Sequence, residues 1–333
     1  MILYHAISTL QIFMTSVHRM RHHSKEKAIL ILPDFIVYKF PNYIELQNIF
    51  DEVYLFSYMN IMHDEKQVIR RIFEEYNSTI PYPLEEYKKI YIAGAHFYFS
   101  LLMIEQKIKF SVFEDANGMF VQHERLYERL KIEYPIHADI MQKYKMFDFE
   151  NPFVGKIYCD KKANAIRGYV PKIRNWNTRK AYLRLNIKKK NEIKNFFMEK
   201  PVEYNVQGAI IILTQAFTVL GSMSLNEQRD IYYRLSEKLP CDKKIYIKLH
   251  PDDELEYKEI FPTALIIKEK VPIELLSTCF SGKPKCVLTF SSTANLDSNK
   301  YLVVNLAENY KNLYDHNEEY NSFVKILSAE NII

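Results

Sequence analysis

The sequence predicts an α/β protein made of two halves, each with a parallel β-sheet that helices cover on both faces. Two observations support this prediction. Apolar runs of strand length alternate with segments whose apolar residues recur at helical spacing, once before and once after a basic stretch. In addition, 333 residues are enough for two domains of ordinary size. We therefore expect one domain over residues 1–200, with the basic connector at its end, and a second over residues 201–333.

The first half opens with a short β-type run at residues 2–4. Residues 6–21 then carry apolar side chains at helical spacing, and Ser8 or Thr9 is suited to cap that helix. Pro33 closes the apolar run at residues 28–32, which is typical of a buried strand. The remaining elements predicted here are strands at residues 53–56, 90–92 and 110–113, and helices at residues 64–76 and 97–107. After Pro152 the alternation stops, and it resumes only at residue 209.

The second half repeats the pattern of the first. Its most strand-like run is residues 209–213. Further strands are predicted at residues 244–249, 264–267, 286–290 and 302–305, and helices at residues 225–238, 272–279 and 320–328. Strands that alternate with helices in this way favour a second parallel sheet.

The composition excludes several classes of protein. The hydrophobic fraction of 48% and the charged fraction of 26% are those of a soluble globular protein. With only 7 glycines and no glycine-rich phosphate-binding motif, a dinucleotide or P-loop site is not expected. The four cysteines lack zinc-site spacing, and no basic signal segment precedes the apolar N-terminus. The longest apolar run, residues 209–220, contains polar residues and is too short to span a bilayer, so we expect a cytoplasmic protein.

The net charge of +4 is unevenly distributed along the chain. Residues 156–200 contain 14 Lys or Arg against 3 Asp or Glu, an excess of +11, so the rest of the chain carries −7. Such a block is suited to dock on anionic lipid at the inner face of a membrane, to contact an anionic glycan, or simply to form a solvated helix surface. Nucleic acid is not the expected partner, because the remainder is acidic and no known nucleic-acid-binding module is present.

The strand predicted at residues 244–249 leads directly into the most informative side chains. Lys248 and His250 alternate with apolar neighbours, so both point to the same face near the strand's carboxyl end. Pro251 cannot donate a ladder hydrogen bond and disfavours a helical His250, so the strand is expected to end there. Ligands of open α/β sheets bind at this edge. An imidazole and an ammonium group aimed into one crevice suit a phosphate leaving group, although a single structural hydrogen bond is the more common explanation of His250 taken alone.

An acidic pair follows the strand predicted at residues 110–113. Glu114 and Asp115 precede Asn117 and Gly118, which suit a tight turn because both tolerate positive φ. A carboxylate at a strand end is well placed to remove a proton from a sugar hydroxyl as that hydroxyl attacks. The alternative is that the pair only forms the turn or caps a helix.

Three further strand ends carry polar residues. Ser291 and Ser292 follow the strand at residues 286–290, where hydroxyls and free amides bind phosphate well. Thr214 occupies the equivalent position after residues 209–213, and Glu274 begins a short helix where its carboxylate suits ribose hydroxyls. Ordinary helix capping is the more common explanation of the serines and of Thr214 taken alone, and Glu274 could instead only favour the helix dipole.

Taken in order, these motifs resemble the bacterial sialyltransferases, and most closely glycosyltransferase family 52, whose members sialylate lipooligosaccharide or capsule. The family's acidic-acidic-Gly motif stands here as Glu114, Asp115 and Ala116, with Gly118 and the aromatic Phe120 retained. The His-Pro motif stands as His250-Pro251, and the hydroxyl pair as Ser291-Ser292. Residues 4–11 are similar to the family's first strand-to-helix turn.

The resemblance implies a GT-B architecture, in which two Rossmann-like domains face a central cleft and the second domain binds the nucleotide donor. It implies an inverting transfer of sialic acid from CMP-sialic acid to a sugar hydroxyl, with no metal or other cofactor. Asp115 would be the base, and His250 would donate to the departing phosphate. The expected donor-binding residues are Lys248, Pro251, Glu274, Ser291, Ser292 and Thr214.

Two other functions remain open on the sequence alone. The same fold also suits a different donor, such as CMP-Kdo or a nucleoside-diphosphate sugar. A non-catalytic, membrane-associated module of capsule assembly would instead make Ala116 the mark of a lost site and the basic block the functional feature. The sequence leaves a homodimer open and does not indicate the acceptor sugar, although galactose is expected.

Overall fold

The computed structural model describes residues 1–61, 67–115, 127–128, 130–132, 134–198, 202–219, 223–290, 296, 300–306 and 324–333. The chain divides into two compact units, Met1–Glu199 and Lys200–Ile333. Each unit is built on its own parallel β-sheet with helices packed against it.

The first unit is organised around a seven-stranded parallel sheet. Its strands, in chain order, are β1 (Ile2–His5), β2 (Ala28–Pro33), β3 (Glu52–Phe56), β4 (Lys89–Ile92), β5 (Phe110–Phe113), β6 (Val154–Cys159) and β7 (Ile173–Asn175). They are ordered β3-β2-β1-β4-β5-β6-β7 across the sheet. Strand β1, with the sequence ILYH, lies in the interior of the sheet between β2 and β4 and is buried at all four residues.

Seven helices of the first unit have described bounds: α1 (Thr9–His22), α2 (Ile36–Lys39), α3 (Val68–Thr79), α4 (Ser100–Glu105), α5 (Pro135–Lys143), α6 (Thr178–Leu183) and α7 (Ile187–Phe197). Two 3-10 helices occupy Tyr43–Asn48 and Leu84–Glu86. Helix α1 begins at a capping box, in which Ser8 and Gln11 each bond the backbone N–H of the other. Helices α6 and α7 pack on α1, where Phe13 contacts the rings of Tyr182 and Phe197.

The prediction that strand–helix alternation stops between Pro152 and residue 209 was wrong. Strand β6 pairs in parallel with β5, placing Tyr158 beside Phe113, and β7 extends the same sheet. Strand β6 escaped detection because it has no continuous apolar run, with Gly155 and Lys156 both exposed. The basic block at residues 156–200 is therefore not a linker helix, because it begins within a sheet strand and ends in two helices packed on α1.

The second unit contains a five-stranded parallel sheet with the order β11-β10-β9-β13-β14. The strands of this unit are β8 (Tyr204–Asn205), β9 (Ile210–Leu213), β10 (Ile245–Lys248), β11 (Leu265–Ile267), β12 (Phe280–Ser281), β13 (Cys286–Thr289) and β14 (Val303–Asn305). The two short strands β8 and β12 pair separately. The described helices are α8 (Leu225–Lys238), α9 (Ile273–Leu276), a 3-10 turn at Ser277–Cys279 and the helical residues 324–329.

Both sheets are doubly wound, because the chain moves outward in one direction and then crosses back past its first strand. The strand order reverses between β1 and β4 in the first unit, and between β9 and β13 in the second. In open sheets of this type ligands bind outside the carboxyl ends of the strands at such a reversal. The predicted α/β class with two Rossmann-like domains is thus confirmed.

Among the helices in the described part of the chain, none combines the length and the apolar character needed to cross a bilayer.

Candidate active site

In the second unit, His250 is fixed by the neighbouring strand end. Thr214 follows β9, donates its backbone N–H to the Lys248 carbonyl, and accepts the His250 backbone N–H on its hydroxyl at 2.9 Å. The Thr214 side chain is buried, so this hydroxyl has little access to solvent. Thr214 therefore joins the carboxyl ends of β9 and β10 and sets the direction in which His250 leaves the sheet.

The ring of His250 has a defined hydrogen-bonding role. Its Nδ1 accepts the backbone N–H of Asp252 at 3.2 Å, so in the neutral ring the proton resides on Nε2. The Asp252 carboxylate lies 3.9 Å from the same Nδ1. The side chain is about one-third exposed, at 36%. His250 can thus present an Nε2–H donor in either protonation state.

The turn that contains Pro251 is held by a buried amide. Gln228 on α8 donates from Nε2 to the Asp253 carboxylate at 2.8 Å and to the Gln215 carbonyl at 3.2 Å. Tyr257 donates its hydroxyl to the other oxygen of Asp253 at 2.7 Å. Asp253 therefore serves the turn, and Pro251 lies in a segment fixed from both sides. Sequence reasoning missed Gln228, since nothing in the helix pattern of residues 225–238 distinguishes it from a surface residue.

The other predicted donor-binding residues of this unit occupy different environments. Lys248 is 6% exposed and donates from Nζ to the Leu249 carbonyl. Burial lowers the pKa of Lys248 to about 8, while the carboxylate of Glu269 opposes that shift. Glu274 is also buried, in the first turn of α9. Ser291 and Ser292 lie outside the described residues, so the structure brings together only Thr214, Lys248 and His250 at adjoining strand ends.

In the first unit, the two members of the acidic pair have different environments. Glu114 is buried, and its carboxylate accepts the Asp160 backbone N–H at 3.0 Å and the Asn164 side-chain amide at 2.7 Å. Glu114 therefore anchors the turn that follows β6. The side chain of Asp115 is 34% exposed. Asp115 is thus the member of the pair with access to solvent, and residues 116–120 of the predicted motif lie outside the described part of the chain.

Two residues that sequence reasoning missed adjoin Asp115. The His96 Nε2 lies 4.0 Å from the Asp115 Oδ2, and the buried Asp148 accepts the Ala95 backbone N–H at 2.6 Å. Burial raises the pKa of Asp148 to about 7, and the charge of Asp115 contributes to the same shift. Burial, together with the nearby His137, lowers the pKa of His96 to about 3, so its ring is neutral at physiological pH. Perturbed titratable groups of this kind cluster at functional sites.

One sequence signal was available for this second group of residues. Gly94, Ala95 and His96 directly follow the strand predicted at residues 90–92, which is the same strand-end position that drew attention to His250. No comparable signal pointed to Asp148, because it contacts Ala95 across 53 residues of chain.

Solved structures of known proteins share the fold of this chain. A putative UDP-N-acetylglucosamine 2-epimerase from Listeria monocytogenes superposes with a TM-score of 0.57 at 11% identity, covering 97% of this chain and 90% of that one. The UDP-GlcNAc 2-epimerase of Neisseria meningitidis superposes with a TM-score of 0.53 at 14% identity, covering 98% of this chain and 93% of that one. Os79 from O. sativa superposes with a TM-score of 0.52 at 11% identity, covering 99% of this chain and 95% of that one. At these identities the likeness establishes the fold alone, and it confirms the predicted GT-B class.

Sequence comparisons identify the family. An uncharacterized protein of Haemophilus influenzae is 25% identical over 201 residues, which are 60% of this chain and 62% of that protein. The chain therefore spans less than two thirds of that relative's length. The model of glycosyltransferase family 52 matches residues 59–307, which include Asp115, His250 and every other predicted site residue. The chain belongs to glycosyltransferase family 52.

Proposed function

We propose that this glycosyltransferase is an inverting, metal-independent sialyltransferase. It moves sialic acid from CMP-sialic acid to a sugar hydroxyl, expected to be that of galactose, on a bacterial surface glycan such as lipooligosaccharide or capsule. The observation that carries the proposal is His250: within a chain of family 52, an imidazole leaves β10 at the carboxyl end of the sheet and keeps an Nε2–H donor. A donor at this position suits the phosphate of a departing nucleotide.

Asp115 acts as the general base in the proposed reaction. It removes the proton of the acceptor hydroxyl as the oxygen forms a bond to the anomeric carbon of sialic acid. The bond from that carbon to the CMP phosphate oxygen breaks, and both its electrons leave with CMP. The partial exposure of Asp115 and the structural use of Glu114 support this choice within the pair. A positioned base of this type typically contributes a rate factor of about 10²–10⁴.

His250 stabilises the leaving phosphate. It donates a hydrogen bond or a proton from Nε2, the ring nitrogen opposite the Nδ1 that accepts the Asp252 backbone N–H. Ser291 and Ser292 are proposed to add hydroxyl and amide donors to the same phosphate. Preorganised donors at a developing charge are commonly worth about 10²–10³ in rate for each donor removed. Because protein groups meet the charge, the proposal includes no metal ion.

The remaining residues hold the donor. Lys248 supplies positive charge near the phosphate or reads the cytosine edge, and Glu274 binds ribose hydroxyls. Thr214 and Pro251 contribute by shaping the strand end from which His250 extends, as the bond from the His250 N–H to the Thr214 hydroxyl suggests. These assignments follow from their positions in the second unit and from the family's motifs.

The direct experiment measures CMP release and sialylated product from CMP-sialic acid and a galactosyl acceptor. Asp115→Asn is expected to lose transfer while still binding CMP, and His250→Ala is expected to lose activity with an intact fold. A wild-type rate in either variant would overturn the corresponding role. Nucleotide binding without turnover in the wild-type chain would instead favour a non-catalytic module.

A thermal-shift panel of nucleotides tests the donor class. CMP is expected to protect the chain from melting more than UDP or GDP does. UDP is the most informative competitor, because one solved structure with the same fold is an epimerase bound to UDP-GlcNAc. Stronger protection by UDP would replace the CMP-sugar donor with a nucleoside-diphosphate sugar and leave the glycosyltransferase class unchanged.

We also propose that the basic block docks on an anionic membrane surface. Where α6 passes into α7, the apolar Leu183 and Ile187 are 43% and 71% exposed, and the exposed Lys180, Arg184 and Lys188 lie close to them in the sequence. Each basic residue near an anionic leaflet contributes about 1 kcal/mol of attraction. Ile187→Asp is expected to reduce sedimentation with phosphatidylglycerol vesicles, whereas Tyr38→Asp, an 82% exposed site outside the block, serves as the control. Equal sedimentation of the two variants would contradict this surface.

A further inference from the structure

The loop at residues 93–97, which follows β4 in the first unit, is unusually well braced. It lies where the strand order reverses, at the carboxyl end of a central strand. Side chains from strand β1, from helices α1, α4 and α5, and from the segment that follows α5 form hydrogen bonds to its backbone. The bonds are Ala93 N–H to His5, Gln11 to the Ala93 carbonyl, Ala95 N–H to Asp148, Ser100 to the Ala95 carbonyl, and His137 to the His96 carbonyl.

Five side-chain hydrogen bonds to the backbone of one short loop are more than a connecting loop needs. Three of the bonds are 2.7 Å or shorter, namely those that Asp148, Ser100 and His137 make. Loops that only connect elements usually leave their backbone groups to water. A loop held by buried side chains from separate elements is instead typical of a site that must keep one side chain in a fixed position.

The side chain that this loop fixes is that of His96. Its ring folds back over Gly94, where an added Cβ would lie 2.7 Å from Cε1 and 2.8 Å from Nδ1. Gly94 also has φ of +121°, which L side chains rarely adopt. On its other side the ring packs against Phe97, with ring centroids 4.0 Å apart. The ring is thus confined, and its Nε2 is the atom 4.0 Å from the Asp115 carboxylate.

We propose that His96 is a positioning residue for Asp115, and that its Nε2–H fixes the orientation of the carboxylate that accepts the proton of the attacking hydroxyl. This inference rests on the proposed role of Asp115 in glycosyl transfer. The distance of 4.0 Å exceeds that of a hydrogen bond, and catalytic hydrogen bonds commonly shorten to bonding distance only once substrate is bound. The proton removed from the acceptor hydroxyl ends on Asp115, and His96 exchanges none.

A neutral imidazole suits this task better than a cation does. A lysine or arginine beside Asp115 would stabilise its charged form strongly and so weaken it as a base. A neutral N–H orients the carboxylate with a smaller effect on its basicity. Burial keeps His96 neutral, and the other titratable groups around the loop include His5, Asp115, Asp148, His137 and the more distant Lys172. Removing a donor that orients a functional side chain in this way typically lowers activity about 10–100-fold.

The test compares two substitutions at one position. His96→Gln keeps an N–H donor near the place of Nε2, whereas His96→Leu keeps a similar bulk and loses the donor. We expect His96→Leu to lower kcat about 10–100-fold with little change in the KM for the nucleotide donor, and to move the acid limb of the pH–rate profile to higher pH. His96→Gln should restore most of kcat and return the acid limb. His22→Gln, an exposed histidine at the end of α1, is the matched control.

A second measurement separates this inference from the proposed function. In histidine side-chain NMR spectra of the full chain, the His96 resonances should report the Nε2–H tautomer and should shift in Asp115→Asn, whether or not CMP-sialic acid is the donor. If the His96 resonances shift in Asp115→Asn but the chain transfers nothing from CMP-sialic acid, the proposed donor is wrong and the positioning role of His96 is retained. Equal losses in His96→Gln and His96→Leu, or His96 resonances unmoved in Asp115→Asn, would overturn the positioning role.

Discussion

Replacing Asp148 with asparagine should change how the stability of the first unit depends on pH. Asp148 is 6% exposed, and its carboxylate accepts the Ala95 N–H, a bond that the amide oxygen of asparagine can keep. Burial raises the pKa of Asp148 from 3.8 to about 7. Because the folded-state pKa is raised, the folded chain retains a proton between about pH 4 and pH 7 that the unfolded chain releases. The stability that this group contributes below pH 4 is therefore lost as the pH rises to 7.

The magnitude follows from the size of the shift. The pKa difference is roughly 3 units, and each unit corresponds to about 1.36 kcal/mol, so the full effect is about 4 kcal/mol. Asparagine does not ionise, so the variant lacks this dependence. The free energy of unfolding of Asp148→Asn, relative to that of the wild type, should rise by up to about 4 kcal/mol between pH 4 and pH 8.

The assay uses the only tryptophan of the chain, Trp176, which is buried in the first unit and whose fluorescence reports the unfolding of that unit. Urea unfolding curves would be recorded for both proteins at pH 4, 6 and 8. Asp139→Asn, at an exposed aspartate on α5, is the matched control and should follow the wild type. If the Asp148→Asn and wild-type stabilities stay parallel from pH 4 to pH 8, the account of a buried carboxyl beside Asp115 is wrong.

Two further predictions concern the second unit. Thr214→Val removes the hydroxyl that accepts the His250 backbone N–H, a bond whose loss costs about 0.5–1.5 kcal/mol. We expect kcat to fall in Thr214→Val and to be retained in Thr214→Ser. Equal kcat in Thr214→Val and wild type would show that this bond does not position His250. Lys248 should lose its charge above pH 8, so the dissociation constant of CMP, measured by calorimetry, should rise between pH 7 and pH 9 in the wild type. In Lys248→Met the affinity for CMP should be low at both pH 7 and pH 9. If this variant keeps the pH dependence of the wild type, Lys248 does not belong to the phosphate site.

Much of the fold follows from local patterns in the sequence. Strand β5 and helix α8 match their predicted bounds, and β10 is shorter by one residue at each end, because apolar periodicity and Pro251 are strong local signals. The helix predicted at residues 97–107 begins only at Ser100, since the preceding residues form the braced loop. Strands β6 and β7 were missed because their burial depends on the sheet edge that they join and on little in their own composition.

In the candidate site, too, some residues are indicated by local sequence patterns and others only by contacts between distant parts of the chain. His250 and Asp115 could be proposed from the sequence because each follows a strand that is recognisable by itself. The division of labour between Glu114 and Asp115 was not predictable, since it depends on Asn164 and the Asp160 backbone, which approach from a distant segment. Asp148 and Gln228 were missed for the same reason, whereas His96 was missed although its position after the strand at residues 90–92 was a usable signal. Each acquires its role from contacts between parts of the chain that only the folded structure brings together.

The most direct test of the account is the rate of CMP release from CMP-sialic acid and a galactosyl acceptor, measured for the wild type and for Asp115→Asn under the same conditions. We expect the wild type to release CMP together with sialylated product. We expect Asp115→Asn to be slower by about 10²–10⁴ while it binds CMP as the wild type does. Product formation by Asp115→Asn at the wild-type rate would contradict the central claim that this carboxylate is the base of the transfer.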